Sequence, residues 1–482
     1  MSVAKRLFWN FALLFSSNVV GQLFFLIGMI HLARVVGPAT FGLWNLAQAW
    51  MLYLLRIDEM GLEVIGIRTI ARDSSELRPV VWNVIMMRVG VAILLMLLVT
   101  LASVLSLLPV EGAGIIVIFA LTLFPYAVVL EWVFEAHQSV LVVSIARILK
   151  GVVFGGLVLL LVNSDLQLID SVYYYVASIS VSAVFVGIAA WKTYRFGMPT
   201  FRLEKMKRLI IEAYPVGLAS LMWQYSLFIG TILAGYLAAP ESLGYYTAAH
   251  RLLVFVWAYG IVTSMRVVLP QMSILYRESK EVFGDFVMRC LRLAVFVSLP
   301  LGVCAVAGGR EVIHLLYGQM YQQSGAMFEI LSLALVIAII RSTFEVGLIA
   351  SNRQYLYLGG MLGLGGAYTL LTFVFLKLWG IEGVVWAALV AESGYALYIF
   401  TVFSLVGFKE IIATLWKPMI VGGITLALLI ITGTKSLLLV IAGGCGIYMI
   451  LLWSVGWISK SDIKIIGAMI SAQSGVKRSS AG

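Results

Sequence analysis

Four pairs of polar side chains recur at helical spacing in an otherwise apolar chain: Asn18 with Gln22, Asn45 with Gln48, Ser220 with Gln224, and Thr247 with His250. The members of each pair stand three or four residues apart, so they share one helix face. Amide, hydroxyl and imidazole groups offer the chemistry of hydrogen bonding, and in a lipid environment such faces must turn inward. They predict a polar lining shared by four helices. The competing reading is interhelical hydrogen-bond glue, which is common in membrane bundles.

Intramembrane charges stand beside these faces. The Asn45/Gln48 stripe continues through Leu52 to Arg56 and Glu59, with Asp58 alongside, while Arg251 follows His250 and Arg266 lies further along the same run. An arginine at a helix centre costs roughly 2.5–3.5 kcal/mol even on a mild scale. Arg56 can offset that with Asp58 or Glu59, or by snorkelling to the nearby inner surface. The same structural reading applies to Arg266. Arg251 lies deeper and has no acidic neighbour in sequence, which makes it the better ligand candidate. Arg88, Arg147 with Lys150, and Arg341 with Glu345 are further intramembrane charges, the last spaced as a structural ion pair. His31, Glu131, Glu135 and Glu392 are candidates to carry protons.

Bond-making chemistry finds no foothold. HExxH, GxSxG and GxxxxGK[ST] patterns are absent, and these are what metalloprotease, hydrolase and nucleotide sites require. Cys290, Cys304 and Cys445 form no CxxC and no Cys/His cluster, so neither a disulfide framework nor a metal site is indicated, and no cofactor is expected. The glycines at 359–366 and 151–155 sit in apolar helices and read as close packing.

The elements that must position these groups are membrane spans. Hydrophobic residues make up 62% of the 482 and charged residues 12%, with a mean hydropathy of +1.03. About a quarter of a soluble domain is charged, so lipid is the solvent here. A span needs about 20 apolar residues, and such runs lie near 9–31, 41–63, 82–108, 114–134, 141–162, 171–191, 212–236, 244–268, 287–309, 326–349, 356–378, 383–406, 416–434 and 437–458. The expected fold is therefore an all-α integral membrane protein of about fourteen transmembrane helices. The first run is too long for a signal-peptide core and lacks a cleavage site, so it is expected to remain. With both termini cytoplasmic, most of the 33 Lys and Arg residues fall on inner segments, and only Arg34, Arg310, Lys377 and Lys435 fall outside. The net charge of +10 then meets the anionic inner leaflet and needs no nucleic acid.

A proline-glycine segment occurs twice, 202 residues apart: Pro38-Ala-Thr-Phe41-Gly42-Leu43-Trp44 and Pro240-Glu-Ser-Leu243-Gly244-Tyr245-Tyr246. Six spans separate the copies, so two six-helix pseudo-symmetric halves share one orientation, and a site between them is the transporter arrangement. The expected units are 1–191, a basic cytoplasmic linker 192–211, a second half 212–409, and two extra helices with a cytoplasmic tail over 410–482. The same offset aligns Asn18, Gln22, Asn45 and Gln48 with Ser220, Gln224, Thr247 and His250. Arg56 and Arg251 break the symmetry, their mates being Ala258 and Ala49.

Ala33-Arg34-Val-Val-Gly37-Pro38-Ala-Thr-Phe41-Gly42, Asp58-Glu-Met-Gly61-Leu62 and Arg68-Thr-Ile-Ala71-Arg72 carry a resemblance, continued by Pro240-Glu-Ser-Leu243-Gly244, Leu269-Pro270 and Leu315-Leu316-Tyr317-Gly318. Over roughly residues 9–410 the chain resembles the Wzx-type polysaccharide and O-antigen flippases, the polysaccharide-transporter branch of the multidrug/oligosaccharidyl-lipid/polysaccharide superfamily. One departure stands out. Relatives often carry an aspartate midway along helix seven after a tyrosine, whereas Tyr225 is followed by Ser-Leu-Phe-Ile-Gly230. The resemblance implies alternating-access movement of an undecaprenyl-diphosphate-linked oligosaccharide from the cytoplasmic to the outer leaflet. It also implies a multi-pass location in the bacterial inner membrane, with membrane lipids and other polysaccharide-assembly proteins as partners. Gln22, Gln48 and Gln224 would then suit sugar hydroxyls, and Arg251 or Arg56 the diphosphate. Asn18, Asn45, Thr247 and His250 complete the expected lining, with Asp58 and Arg266 as charge or coupling candidates. An ion-coupled exporter of small cations, from the drug-efflux branch, is the alternative and would want an acidic cavity. A non-transporting scaffold is a third.

Overall fold

In lipid every backbone amide needs an internal partner, so apolar runs of this length become helices. The computed structural model describes residues 3–457 except 110, 199, 201, 434 and 435, and omits the side chains of 3–8, 10, 11, 165 and 258–267. Among the described residues there are helices and no strands. In chain order they are α1 (Val3–Glu59), α2 (Leu62–Arg72), α3 (Leu77–Val104), α4 (Ala113–Ala120), α5 (Leu123–Ala127), α6 (Glu131–Ala136), α7 (Val140–Leu161), α8 (Leu168–Tyr194) and α9 (Leu203–Leu237). There follow α10 (Pro240–Glu278), α11 (Lys280–Ala307), α12 (Gly309–Tyr317), α13 (Gln322–Ala350), α14 (Gln354–Trp379), α15 (Glu382–Val402), α16 (Phe408–Thr432) and α17 (Leu437–Ser454).

Twelve stretches among the described residues are long and apolar enough to cross a membrane. One of them, Ala12–Arg72, holds both arms of α1, and α10, at 39 residues, is not among the twelve. Counting the arms separately and adding α10 matches the helices to the fourteen apolar runs. The run near 114–134 departs from expectation by folding as three short helices, α4 to α6. Pro125 explains the first break, because it lacks the amide that would bond to Leu121 and its ring crowds that carbonyl. The tail beyond residue 457 lies outside the described residues.

The two arms of α1 meet at Gly37, whose φ of 74° and ψ of 172° lie where an L side chain is strained. The first arm runs parallel to α7: Gly21 abuts Gly151, and Gly28 abuts Gly155. These glycines in α7 do pack closely, since a Cβ at Gly151 would meet the Gly21 Cα at 2.8 Å. The second arm runs antiparallel to α9. Leu46 reaches Gly235, Tyr53 donates to the Tyr225 carbonyl at 3.0 Å, and Gly61 abuts Gly217. With α8 returning between α7 and α9, the arms of α1 therefore double back on each other.

The repeated segments face one another. A Cβ at Gly42 would collide with the Pro240 carbonyl and lie 2.7 Å from the Gly244 nitrogen, and one at Gly244 would collide with the Pro38 carbonyl. Over this bend end, the Tyr321 hydroxyl donates to the Ala33 carbonyl at 2.9 Å, and Arg34 donates to the Leu315 and Leu316 carbonyls at 2.5 and 2.7 Å. The largest apolar cluster joins α1 and α10 here, with Phe41, Trp44, Tyr246, Tyr317 and Tyr321 fully enclosed. A second cluster lies among α11, α13, α14 and α15, and a third among α2, α3, α6, α7 and α8. At the C-terminal side, Cys304 of α11 and Cys445 of α17 meet as free thiols with their sulfurs 4.0 Å apart.

Candidate functional site

Beneath the paired bends lies a cavity of about 430 Å³, walled by both arms of α1, α7, α9 and α10. Its lining includes Asn18, Gln22, Asn45, Gln48, Arg56, Thr247, His250 and Arg251, eight of the nine residues expected from sequence. The ninth, Gln224, is buried in α9 but outside the lining, as is its partner Ser220. Phe228 and Thr231, one and two turns further on along the same face of α9, do line the cavity. Lining and interhelical glue coexist at Asn45, whose second bond, like that of Thr247, stays within its own helix. Asn45 donates to the Phe41 carbonyl at 2.7 Å and accepts from Arg251, while Thr247 donates to the Gly244 carbonyl at 3.3 Å.

Arg251 crosses from α10 to α1. Its Nε donates to Asn45 Oδ1 at 3.1 Å, one terminal nitrogen also reaches that oxygen, and the same nitrogen donates to Gln48 Oε1 at 2.5 Å. Its guanidinium lies 5.3 Å from the Trp44 ring centre and 5.7 Å from that of Phe25. Such stacking eases the burial of a cation. These acceptors are neutral, so they engage Nε and one terminal nitrogen and leave the charge uncompensated.

Arg147 and Lys150 of α7 also line the cavity. Arg147 binds Glu131 at 3.1 Å and Glu135 at 2.5 Å, and donates to Asn18 Oδ1 at 3.4 Å. Glu131 and Glu135 are therefore counterions of an arginine. Lys150 lies 5.7 Å from the Tyr126 ring centre. Tyr126 and Tyr175 complete this wall. Sequence reasoning noted Arg147 and Lys150 as intramembrane charges without assigning them to the site. Their i, i+3 spacing, on the helix whose glycines pack against the first arm of α1, was the available signal. The two tyrosines carried none.

Of the two acids expected beside Arg56, one pairs with it and the other does not. Arg56 pairs with Glu59 at 2.6 Å, not with Asp58. Asp58 instead turns away from the cavity to Arg88 at 2.9 Å, and Arg88 also binds Glu63 at 2.5 Å. The rotation per residue along the helix forces this split, since Asp58 and Glu59 point about 100° apart. Asp58 is thus a structural counterion, 1% exposed against 2% for Arg88. Replacing Arg88 with leucine is expected to destabilise the protein by about 3–5 kcal/mol, because two acids lose their partner. Thermal unfolding in detergent would measure it, and an unchanged midpoint would contradict the pairing. The Arg266 side chain lies outside the described residues.

Arg341 binds Glu392 at 2.6 Å and also Glu345, with its guanidinium 4.5 Å from the Tyr395 ring centre. This triad borders a smaller cavity of about 150 Å³ among α9, α10, α13, α14 and α15, and His250 lines both cavities. His31 bonds the Val162 carbonyl at 3.0 Å.

Four cations and no carboxylate therefore line the main cavity among the described residues. A helical membrane protein with a polar cavity between packed helices has the architecture in which transporters hold their cargo. The family model for "Polysaccharide biosynthesis protein" matches residues 7–275, and the chain belongs to that family. A candidate O-antigen transporter of Escherichia coli (strain K12) is 26% identical over 233 residues, covering 46% of this chain and 54% of that protein. The chain thus spans about half the length of the curated relative it matches. Among solved structures, the lipid II flippase MurJ in an inward closed conformation superposes with a TM-score of 0.71 at 15% identity, covering 92% of this chain and 98% of that one. An inward-facing multidrug resistance MATE family transporter of the MOP superfamily gives 0.63 at 16%, covering 81% and 96%. At such identities the likeness is one of fold.

Proposed function

We propose that this chain is a flippase that carries an undecaprenyl-diphosphate-linked oligosaccharide from the cytoplasmic to the outer leaflet of the bacterial inner membrane. The observation that carries the proposal is the sign of the cavity: Arg56, Arg147, Lys150 and Arg251 line it without an acid among the described lining residues. A guanidinium suits phosphate oxygens in a two-point contact, while Asn18, Gln22, Asn45 and Gln48 suit hydroxyl-rich sugars. The related O-antigen transporter and the MurJ flippase fold fit this reading. The MATE fold is shared as well, but an exporter of small cations would need the opposite charge in its chamber.

The halves 1–191 and 212–409, joined by the basic segment 192–211, would rock about the cavity, with both termini and the linker cytoplasmic. Their opposed bends close the outer end in this conformation. An inside-negative potential favours outward movement of an anion by about 2.3 kcal/mol per charge per 100 mV, so the reading requires no coupling ion. Deleting the gene is expected to remove a surface glycan and to accumulate its lipid-linked repeat on the cytoplasmic face. Intact surface glycan with no accumulated carrier in the deletion strain would refute the proposal.

A further inference from the structure

We infer that the oligosaccharide this cavity accepts is built from neutral sugars. The inference rests on the flippase reading and adds the charge of the cargo. Of the four lining cations, two are already neutralised from behind the wall: Arg56 by Glu59, and Arg147 by Glu131 and Glu135. Lys150 and Arg251 differ. Among the described residues neither has a carboxylate within ion-pair distance, and their contacts are an aromatic face and two amide oxygens. Both line the one cavity, so the uncompensated charge is gathered in a single chamber. A polyprenyl diphosphate diester carries one negative charge on each phosphate. Two free cations therefore match the carrier's own dianion and leave no positive charge over for a sugar acid.

The rest of the wall opposes a third negative charge. Directly behind the lining, Glu59, Glu131 and Glu135 share only two guanidinium groups, those of Arg56 and Arg147. A hexuronate placed beyond the diphosphate would meet that excess of carboxylate in a poorly screened site, where like charges repel strongly. A neutral hexose meets Asn18 and Gln22 there, which can donate and accept without a charge penalty.

The test uses the full-length protein in liposomes with two synthetic carriers. One is an undecaprenyl-diphosphate trisaccharide of neutral hexoses. The other is identical except for a hexuronic acid at its distal sugar. Each bears the same uncharged fluorophore, and translocation is read by a membrane-impermeant quencher. The neutral carrier is expected to move about tenfold faster or more, a discrimination typical of one misplaced like charge. In the double variant Glu131→Gln/Glu135→Gln, which frees Arg147, the acidic carrier is expected to approach the neutral rate. Equal rates in the unmodified protein, or a faster acidic carrier, would overturn the inference and leave the flippase reading standing. A preference unchanged by the double variant overturns the charge argument. If neither carrier moves, the flippase reading and this inference fall together.

Discussion

Replacing Arg251 with alanine is expected to cut glycan export by roughly 30-fold or more, because losing one charged partner of a buried contact costs about 2–5 kcal/mol. The residue is the only lining cation contributed by the C-terminal helices among those described. It is also held in place before any ligand arrives, by Asn45 and Gln48 beneath it and by the rings of Trp44 and Phe25. A site so organised spends little on ordering when an anion binds. Arg251→Lys keeps the charge but loses the planar fork, so an intermediate loss is expected. Surface glycan in a complemented deletion strain, normalised to protein in the membrane, would report both variants. Undiminished export by Arg251→Ala would remove Arg251 from the site.

Gly244→Ala is expected to abolish most export through geometry alone. The added carbon would collide with the Pro38 carbonyl oxygen and sit 2.9 Å from the Pro38 Cα. Both neighbours are backbone and cannot swing aside, so the two bends must part and the cavity roof with them. A cysteine placed at Phe41, fully buried between the bends, should then become reactive to an impermeant thiol reagent from outside. Gly90→Ala is the control, since no atom lies within 4 Å of the position its Cβ would take. If Gly244→Ala exports normally and the introduced cysteine at 41 stays protected, the bends do not form the outer closure.

The membrane class and the number of spans were legible because hydrocarbon imposes length and apolarity on every crossing segment. The lining of α1 and α10 was legible for a related reason, since polar side chains there have few tolerable directions. Gln224 shows the limit: spacing groups residues on a face, and Phe228 and Thr231 of that face do line the cavity, but it does not say which turns along the face will reach it. The pairings of Asp58 with Arg88 and of Arg147 with Glu131 and Glu135 join groups 12 to 30 residues apart. Local pattern carries no record of such contacts. Tyr126 and Tyr175 were harder still, because an aromatic in an apolar helix looks the same whether it faces lipid, core or chamber.

The contact between Gly42 and Gly244 bears on how this sequence can drift. Each glycine is shaped by the other segment's proline backbone, so a bulkier residue in one copy demands a recess in its counterpart. Substitutions there can be accepted only in concert. Elsewhere along α1 and α10 the copies are free to part company, and Arg56 opposite Ala258 and Arg251 opposite Ala49 are where they have done so. The likeness between the two segments survives where each serves as the mould for the other.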